Sequence, residues 1–162
     1  MRLEALAAAI FGMAAVANAQ APDPLAPLER YIGTWTYEGE GNGARVSCRS
    51  ERRWITNHSF VESHRECATA NGPITQVEVY GFDSSRKIYM YWGFNSGQAL
   101  STYTAPTMGT TVVWTGEARS STSRCSDTFA ADGLSSEAQC EVINADGKTW
   151  RKVSGGHYSK VQ

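Results

Sequence analysis

The sequence predicts an all-β domain, an up-and-down antiparallel barrel of about nine or ten strands braced by two hairpin disulfides. After Gly33, short runs of β-branched and aromatic residues alternate with turn residues, and no sustained helical spacing of apolar residues appears. Each run follows its neighbour through a short turn, which favours a meander. Closing the meander would remove the exposed sheet edges that invite aggregation.

The N-terminus predicts a secretory signal peptide over residues 1–19. Arg2 precedes an apolar run over residues 6–16, and Ala17-Asn18-Ala19 supplies a small-x-small cleavage site. The apolar run is too short to anchor the chain in a bilayer. We therefore expect an exported protein, periplasmic or secreted, without a membrane anchor.

A single folded domain is expected after the signal peptide. Residues 20–31 are rich in proline and predict an extended lead-in that ends in one helical turn at Leu25 to Tyr31. Residues 32–162 then form the barrel. The chain has 15 Lys and Arg against 16 Asp and Glu, a net charge of −1. This balance gives no basic excess for nucleic acid or for anionic membranes, and the sequence carries no signal of oligomeric state.

The cysteines of an exported chain predict disulfides. Cys125 and Cys140 lie at equal distances from Asp132-Gly133, a pair suited to a two-residue type I′ turn. If that turn forms, the two cysteines face each other across a hairpin, within disulfide reach. Sequence alone allows three pairings of four cysteines, and this symmetry favours Cys125–Cys140.

The same construction applies to the first hairpin. Cys48 and Cys67 are equidistant from Asn57-His58, which predicts a second disulfide, Cys48–Cys67. No two cysteines have the C-x-x-C spacing, and the three histidines lack the spacing of a compact metal motif. We therefore expect neither a metal site nor a thioredoxin-like site.

Three charged pairs share one face of the first hairpin in this register. They are Arg49 with Glu66, Glu51 with His64, and Arg53 with Glu62. One interpretation is a pocket wall in which Glu51 or Glu62 assists His64 as a general base. The interpretation that we favour is a solvated outer face with cross-strand ion pairs. No serine or cysteine nucleophile completes a triad.

The strands "TQVEVYGF" and "KIYMYWGF" present two different faces. One face carries Val77, Val79, Ile88, Met90, Trp92 and Phe94, and it has the composition of a packed core. The other carries Gln76, Glu78, Tyr80, Tyr89 and Tyr91. This second face mixes tyrosines with a carboxylate and an amide, which fits either a ligand cavity or an outer surface with tyrosines lying flat.

Two stretches resemble known families. Gly33-x-Trp35 in "LERYIGTWTYEGEG" is similar to the G-x-W opening of lipocalins and their calycin relatives, in which the Trp packs across the closed end. The stretch "YGFDSSRKIYMYWGFNSG" resembles domain-of-unknown-function family 1579. The matching residues are Gly81, Phe82, Asp83, Tyr89 and Trp92. The resemblance covers most of the chain after the signal peptide, and it implies a lipocalin-like barrel without an established activity.

The opening "GTWTYEGEG" is also similar to that of nitrobindins, which are haem-binding barrels with a histidine on a late strand. The agreeing residues are Gly33, Trp35, Glu38, Gly39 and Gly41. This resemblance implies haem as an alternative cofactor, with His157 in "SGGHYSK" as the candidate iron ligand.

The leading functional hypothesis is a module that binds a small apolar molecule inside the barrel, rather than an enzyme. The residues expected to line or close its site are Trp35, Glu78, Tyr80, Tyr89 and Tyr91. One alternative is an isomerase, cyclase or hydrolase, which requires His64 to face inward, shielded from water. Another is a structural or interaction module, which requires a barrel filled by its own side chains.

Overall fold

The structure is a computed structural model that describes residues 22–97, 99–118 and 121–162. In these residues one 3-10 helix, Ala26–Tyr31, precedes ten strands. The strands are β1 (Gly33–Gly41), β2 (Ala44–Ile55), β3 (Phe60–Thr69), β4 (Gly72–Asp83), β5 (Ile88–Asn95), β6 (Leu100–Ala105), β7 (Thr111–Ala118), β8 (Ser121–Phe129), β9 (Ser135–Ile143) and β10 (Trp150–Lys160). Within the described residues, no helix is both long and apolar enough to cross a membrane.

The strands form a closed up-and-down barrel. Each strand pairs antiparallel with the next, and β1 closes the sheet against β10, with Trp35 opposite Lys160. Closure pairs both long sides of every strand, so the sheet has no free edge. The predicted fold class is therefore confirmed. The expected signal peptide at residues 1–19 lies outside the described residues.

The 3-10 helix closes one end of the barrel, in the segment where the sequence predicts a helical turn. Its Leu28 and Tyr31 are 0% and 2% exposed. The Trp35 indole N–H donates to the carbonyl oxygen of Tyr31 over 2.9 Å, and the Tyr89 hydroxyl donates to that of Pro24 over 2.8 Å. These bonds attach the proline-rich lead-in to the first strand and to β5. Buried apolar side chains from other strands complete this end, namely Val61, Val112 and Phe129.

The first hairpin has the predicted register and disulfide, but a longer turn. Cys48 lies opposite Cys67 and is bonded to it, with Cα atoms 4.0 Å apart. The connection runs over residues 56–59, and the N–H of Ser59 donates to the carbonyl oxygen of Ile55 over 3.2 Å. Because this loop has the same midpoint as a two-residue turn, the partners across the hairpin are unchanged.

The second hairpin behaves in the same way. Cys125 lies opposite Cys140 and is bonded to it, as predicted. The predicted two-residue type I′ turn is wrong. That turn needs positive φ at both central residues, and here Gly133 has a φ of 69° whereas Asp132 is not among the residues with positive φ. Asp132 instead accepts a hydrogen bond from the backbone N–H of Leu134 over 2.8 Å, which shapes a longer loop with the same midpoint.

The sequence left open which face of β4 and β5 lines the barrel, and the expectation that the aliphatic face packs as core is wrong. The face with the aliphatic residues points outward, and its Phe94 is 50% exposed. The tyrosine face points into the barrel, where Glu78, Tyr80 and Tyr89 are 2%, 6% and 7% exposed. The physical reason is that neighbouring strands place partners for these polar groups inside the barrel. Among them is Arg65 of β3, which pairs with Glu78.

The disulfides yield a prediction about stability. Replacing Cys125 and Cys140 with Ser should lower the free energy of unfolding by about 3 kcal/mol, because the bridge closes a short loop in the unfolded chain. Their sequence separation is 15 residues. The matched variant Cys48→Ser/Cys67→Ser has a separation of 19 residues and should lose a similar amount. Urea denaturation without reductant measures both losses. Peptide mapping that joined a cysteine of one hairpin to one of the other would contradict the pairing.

Candidate functional site

The inside of the barrel holds a cavity of about 240 Å³. On β1 the cavity is reached at Tyr37, two residues beyond the buried Trp35 of the closed end. Its aromatic lining residues are Tyr37, Tyr80, Tyr91, Tyr103, Trp114 and Tyr158. Its charged and amide-bearing lining residues are Arg65, Gln76, Glu78, Asp127 and Gln139. The volume lies just below the range of about 300–1,000 Å³ that is usual for drug-sized ligands, so the cavity suits a small molecule.

Glu78 is the most heavily bonded of the polar groups in this cavity. Its Oε1 accepts hydrogen bonds from Arg65 Nη1 over 3.3 Å and from the Tyr91 hydroxyl over 3.2 Å. Its Oε2 accepts one from the Tyr80 hydroxyl over 3.1 Å. Burial is the largest single influence and opposes ionisation of this carboxyl, but the guanidinium charges of Arg65 and Arg52, together with hydrogen bonds to the carboxylate, hold the pKa of Glu78 below its ordinary value. Glu78 is therefore a buried, permanently charged acceptor at neutral pH.

Two arginines lie inside the barrel and face tyrosine rings. The guanidinium carbon of Arg52 is 5.3 Å from the ring centre of Tyr158, and that of Arg65 is 5.4 Å from the same ring and 5.3 Å from that of Tyr37. Such contacts stabilise a desolvated cation. The Nε atoms of both arginines are buried and have no hydrogen-bond partner among the described residues. The two guanidinium groups thus hold more donors than the protein uses.

Asp127 brings a second carboxyl group to the cavity from β8. Burial raises the pKa of this group from 3.8 to about 6, and the nearby charge of Arg52 limits the rise. Asp127 is therefore mostly ionised at neutral pH and becomes protonated under mildly acidic conditions. In contrast to Glu78, it can change its charge in the range where proteins normally work.

The tyrosines form a connected aromatic wall. The rings of Tyr80 and Tyr91 meet edge to face with their centres 5.1 Å apart, and Tyr91 meets Tyr103 in the same way at 5.5 Å. Tyr80 also lies 6.0 Å from the indole of Trp114. These spacings are those of favourable aromatic pairs. The wall consequently offers a flat molecule ring faces and edges against which to pack.

The structure brings three of the five predicted site residues together. Glu78, Tyr80 and Tyr91 all line the cavity. Trp35 and Tyr89 are outside the lining and belong to the closed end, where they bond to Tyr31 and Pro24 of the N-terminal segment.

Sequence reasoning missed the interior arginines and Asp127. Arg52 is four residues from Cys48, and Arg65 is two residues from Cys67, so each arginine lies on the same side of its strand as its cysteine. Asp127 has the same relation to Cys125. Once the cysteines are assigned to the inner face, this even spacing predicts inward arginines.

The charged face of the first hairpin is a solvated outer face, as we favoured. The His64 side chain is 56% exposed and contacts Glu62, with Nε2 and Oε2 3.2 Å apart. Glu62 also accepts a hydrogen bond from Arg53 over 3.0 Å. The enzyme hypothesis required His64 to face inward, so this face supplies no general base to the cavity. Within the described part of the chain, no group of three or more His, Cys, Asp or Glu residues could hold a metal ion.

The residues present do not fit a haem held by His157. The His157 side chain is 48% exposed, and its Nδ1 is 2.7 Å from Oε1 of Glu137 on the neighbouring strand. The imidazole therefore points away from the cavity lining. A cavity of about 240 Å³ is also smaller than a tetrapyrrole requires.

Comparisons with known proteins show the fold alone. No protein-family model and no curated protein matches the chain, so the resemblance to family 1579 stays a prediction. An S-type phycobiliprotein lyase, CPES, from Guillardia theta is similar over 83% of this chain and 90% of its own, with 12% identity and a TM-score of 0.56. A de novo designed fluorescence-activating β-barrel is similar over 82% of this chain and 95% of its own, with 14% identity and a TM-score of 0.48.

The buried ion pair of Arg65 and Glu78 yields a prediction about stability. Glu78→Gln removes the charge that compensates Arg65, and leaving a buried guanidinium uncompensated should cost about 3 kcal/mol or more. The matched control is Glu62→Gln, which removes the partner of the exposed Arg53 and should cost less than about 1 kcal/mol. Urea denaturation at neutral pH with the disulfides intact measures both. If the two variants lost equal amounts of unfolding free energy, the buried pair would stabilise the fold no more than the exposed pair does, and the prediction would be wrong.

Proposed function

We propose that this protein is an exported binding protein that holds one small molecule inside its barrel. The observation that carries the proposal is the cavity of about 240 Å³, which lies inside a closed sheet and joins an aromatic wall to a few fixed polar groups. That combination is typical of small-molecule sites. The two disulfides support the export component, because they are stable in oxidising compartments.

The lining indicates the kind of molecule. Five tyrosines and Trp114 line the cavity, which favours a planar, aromatic ligand. Arg65, Glu78 and Asp127 lie in the same cavity. Arg65 and Glu78 pair with each other, but a wholly apolar ligand would exclude water from Asp127 without giving it a partner, which costs free energy. We therefore narrow the expected apolar ligand to an aromatic molecule with at least one polar substituent.

The proposal depends on the cavity and not on the similarity of fold. Barrels of one shape serve many functions, so a likeness in fold is weak support for any of them. The filled-barrel alternative required an interior without space, and the cavity speaks against it. The catalytic alternative required His64 inside the barrel, and this side chain is on the outer face.

A substitution that fills the cavity tests whether the barrel interior is the binding site. Ser101 lines the cavity on β6, and Ser101→Phe should fill part of it and abolish binding of a planar aromatic probe. The matched control is Thr102→Phe, since the next residue of a strand points to the opposite face and leaves the cavity open. Cinnamamide is a suitable neutral probe, and isothermal titration calorimetry measures its binding.

The wild-type protein and the Thr102→Phe variant should bind the probe with a dissociation constant below about 1 mM, and Ser101→Phe should not bind it. Circular dichroism checks that both variants are folded. If wild-type protein bound neither cinnamamide nor its acid, or if Ser101→Phe bound them as wild type does, the barrel cavity would not be the binding site.

A further inference from the structure

The charges inside the barrel are not fully paired by the protein. Arg65 pairs with Glu78 at 3.3 Å. Arg52 is 7% exposed, and its guanidinium faces the rings of Tyr31, Trp35 and Tyr158. Arg52 is therefore a second buried cation that packs against aromatic rings. Its positive charge is balanced by the carboxylates of Glu78 and Asp127 without a salt bridge to either among the described residues.

Arg65 is the cation that a ligand can reach. Its side chain is 15% exposed and lines the cavity. Its Nη1 donates to Glu78, and its Nε is buried without a partner among the described residues, so the protein leaves part of the guanidinium without a hydrogen bond. A guanidinium carries five N–H donors in one plane, a geometry that matches a carboxylate. Glu78 accepts one hydrogen bond from Arg65 and two from tyrosine hydroxyls, so it uses only one of the five donors of the arginine.

We propose that the cavity binds small aromatic acids, with the ligand carboxylate on Arg65 and the ligand ring against Tyr80, Tyr91 and Trp114. This inference rests on the proposed function and names its ligand class. The aromatic wall and the guanidinium line one cavity, so a single compact molecule can contact both. A neutral amide of the same shape would lose the charge-assisted hydrogen bonds, which are about twice as strong as neutral ones.

Asp127 makes this binding depend on pH. The charged and titratable groups that act on it are Arg52 of β2, Arg65 of β3, Glu78 of β4, Tyr31 of the helix segment and Tyr158 of β10. With Asp127 ionised, Arg52 and Arg65 are balanced by the two carboxylates of Glu78 and Asp127. With Asp127 protonated, one positive charge is left over, and an anionic ligand restores the balance. Affinity for an aromatic acid should therefore rise as the pH falls.

The midpoint of this change is set by Asp127, whose pKa is about 6. A ligand carboxyl of ordinary pKa stays mainly ionised at pH 5.5, so the ligand itself does not change charge over this range. Because one proton is taken up with the ligand, the gain in affinity is at most tenfold per pH unit. Between pH 7.5 and 5.5 we expect the dissociation constant to fall several-fold.

The experiment compares cinnamate with cinnamamide by isothermal titration calorimetry at pH 7.5 and 5.5. Wild-type protein should bind cinnamate at least tenfold more tightly than cinnamamide at pH 5.5. Asp127→Asn should bind cinnamate at pH 7.5 as tightly as wild type does at pH 5.5, because the variant has lost the negative charge. Arg65→Gln should abolish the preference for the acid. Arg53→Gln, on the exposed outer face of the same hairpin, should leave it unchanged.

Arg65→Gln leaves Glu78 without its cation and could unfold the protein, so Asp127→Asn and the wild-type pH dependence test the proposal independently. Equal affinities for acid and amide in folded wild-type protein would overturn the aromatic-acid proposal while leaving the proposed function intact. A preference for the acid that survived in folded Arg65→Gln would overturn the assignment to Arg65. Absence of binding by both probes would overturn this inference together with the proposed function.

Discussion

The structure depends on one requirement, which is that the carboxylate of Glu78 be compensated inside a closed sheet. An ionised carboxyl removed from water is costly unless it is paired and hydrogen-bonded. Arg65 of β3 and the hydroxyls of Tyr80 and Tyr91 satisfy it from three neighbouring strands. A shift of one residue in strand pairing would turn these groups to the outside. The same contacts that satisfy Glu78 therefore help to fix the register of β3, β4 and β5.

The barrel interior is divided into two parts with different physical roles. The end near the 3-10 helix is packed with apolar and aromatic side chains, among them Leu28, Val61 and Val112, each 0% exposed. Beyond Trp35 the interior becomes polar and contains the cavity. Packing stabilises the first part. In the second part, the Cys125–Cys140 bridge lines the cavity and supplies a covalent link where packing is incomplete.

Much of the fold could be predicted because the spacing of the cysteines about each turn indicates which residues of the two strands lie opposite each other. Equal distances of two cysteines from a turn midpoint predicted the partners Cys48–Cys67 and Cys125–Cys140, and this survived an error in the turn type. A two-residue and a four-residue loop with one midpoint place the same residues opposite each other. The local geometry at Asp132 depended on side-chain to backbone bonding in the loop, which the dipeptide Asp-Gly does not specify.

The direction of the faces was harder to predict because it depends on partners from distant strands. Aliphatic residues such as Val77 and Val79 resemble a core in isolation, whereas Glu78 and Tyr80 do not. Arg52 and Arg65 on the inner faces of β2 and β3 compensate the charge of Glu78 and help to make a polar interior favourable. Their even spacing from the cysteines was present in the sequence. Its meaning became clear only once the cysteines were known to be on the inside.

The most direct test of this account is a pH titration of the side-chain carboxyl carbons by ¹³C NMR in the disulfide-bonded protein. The pKa values of the two interior carboxyls should be shifted from their ordinary values in opposite directions. Glu78 should have a pKa below its ordinary value of 4.5, because the charges of Arg65 and Arg52 and the hydrogen bonds to the carboxylate together outweigh its burial. Asp127 should have a pKa of about 6, because burial dominates there. A pKa of Glu78 above 4.5, or of Asp127 at or below 3.8, would contradict the charge arrangement on which the site is built.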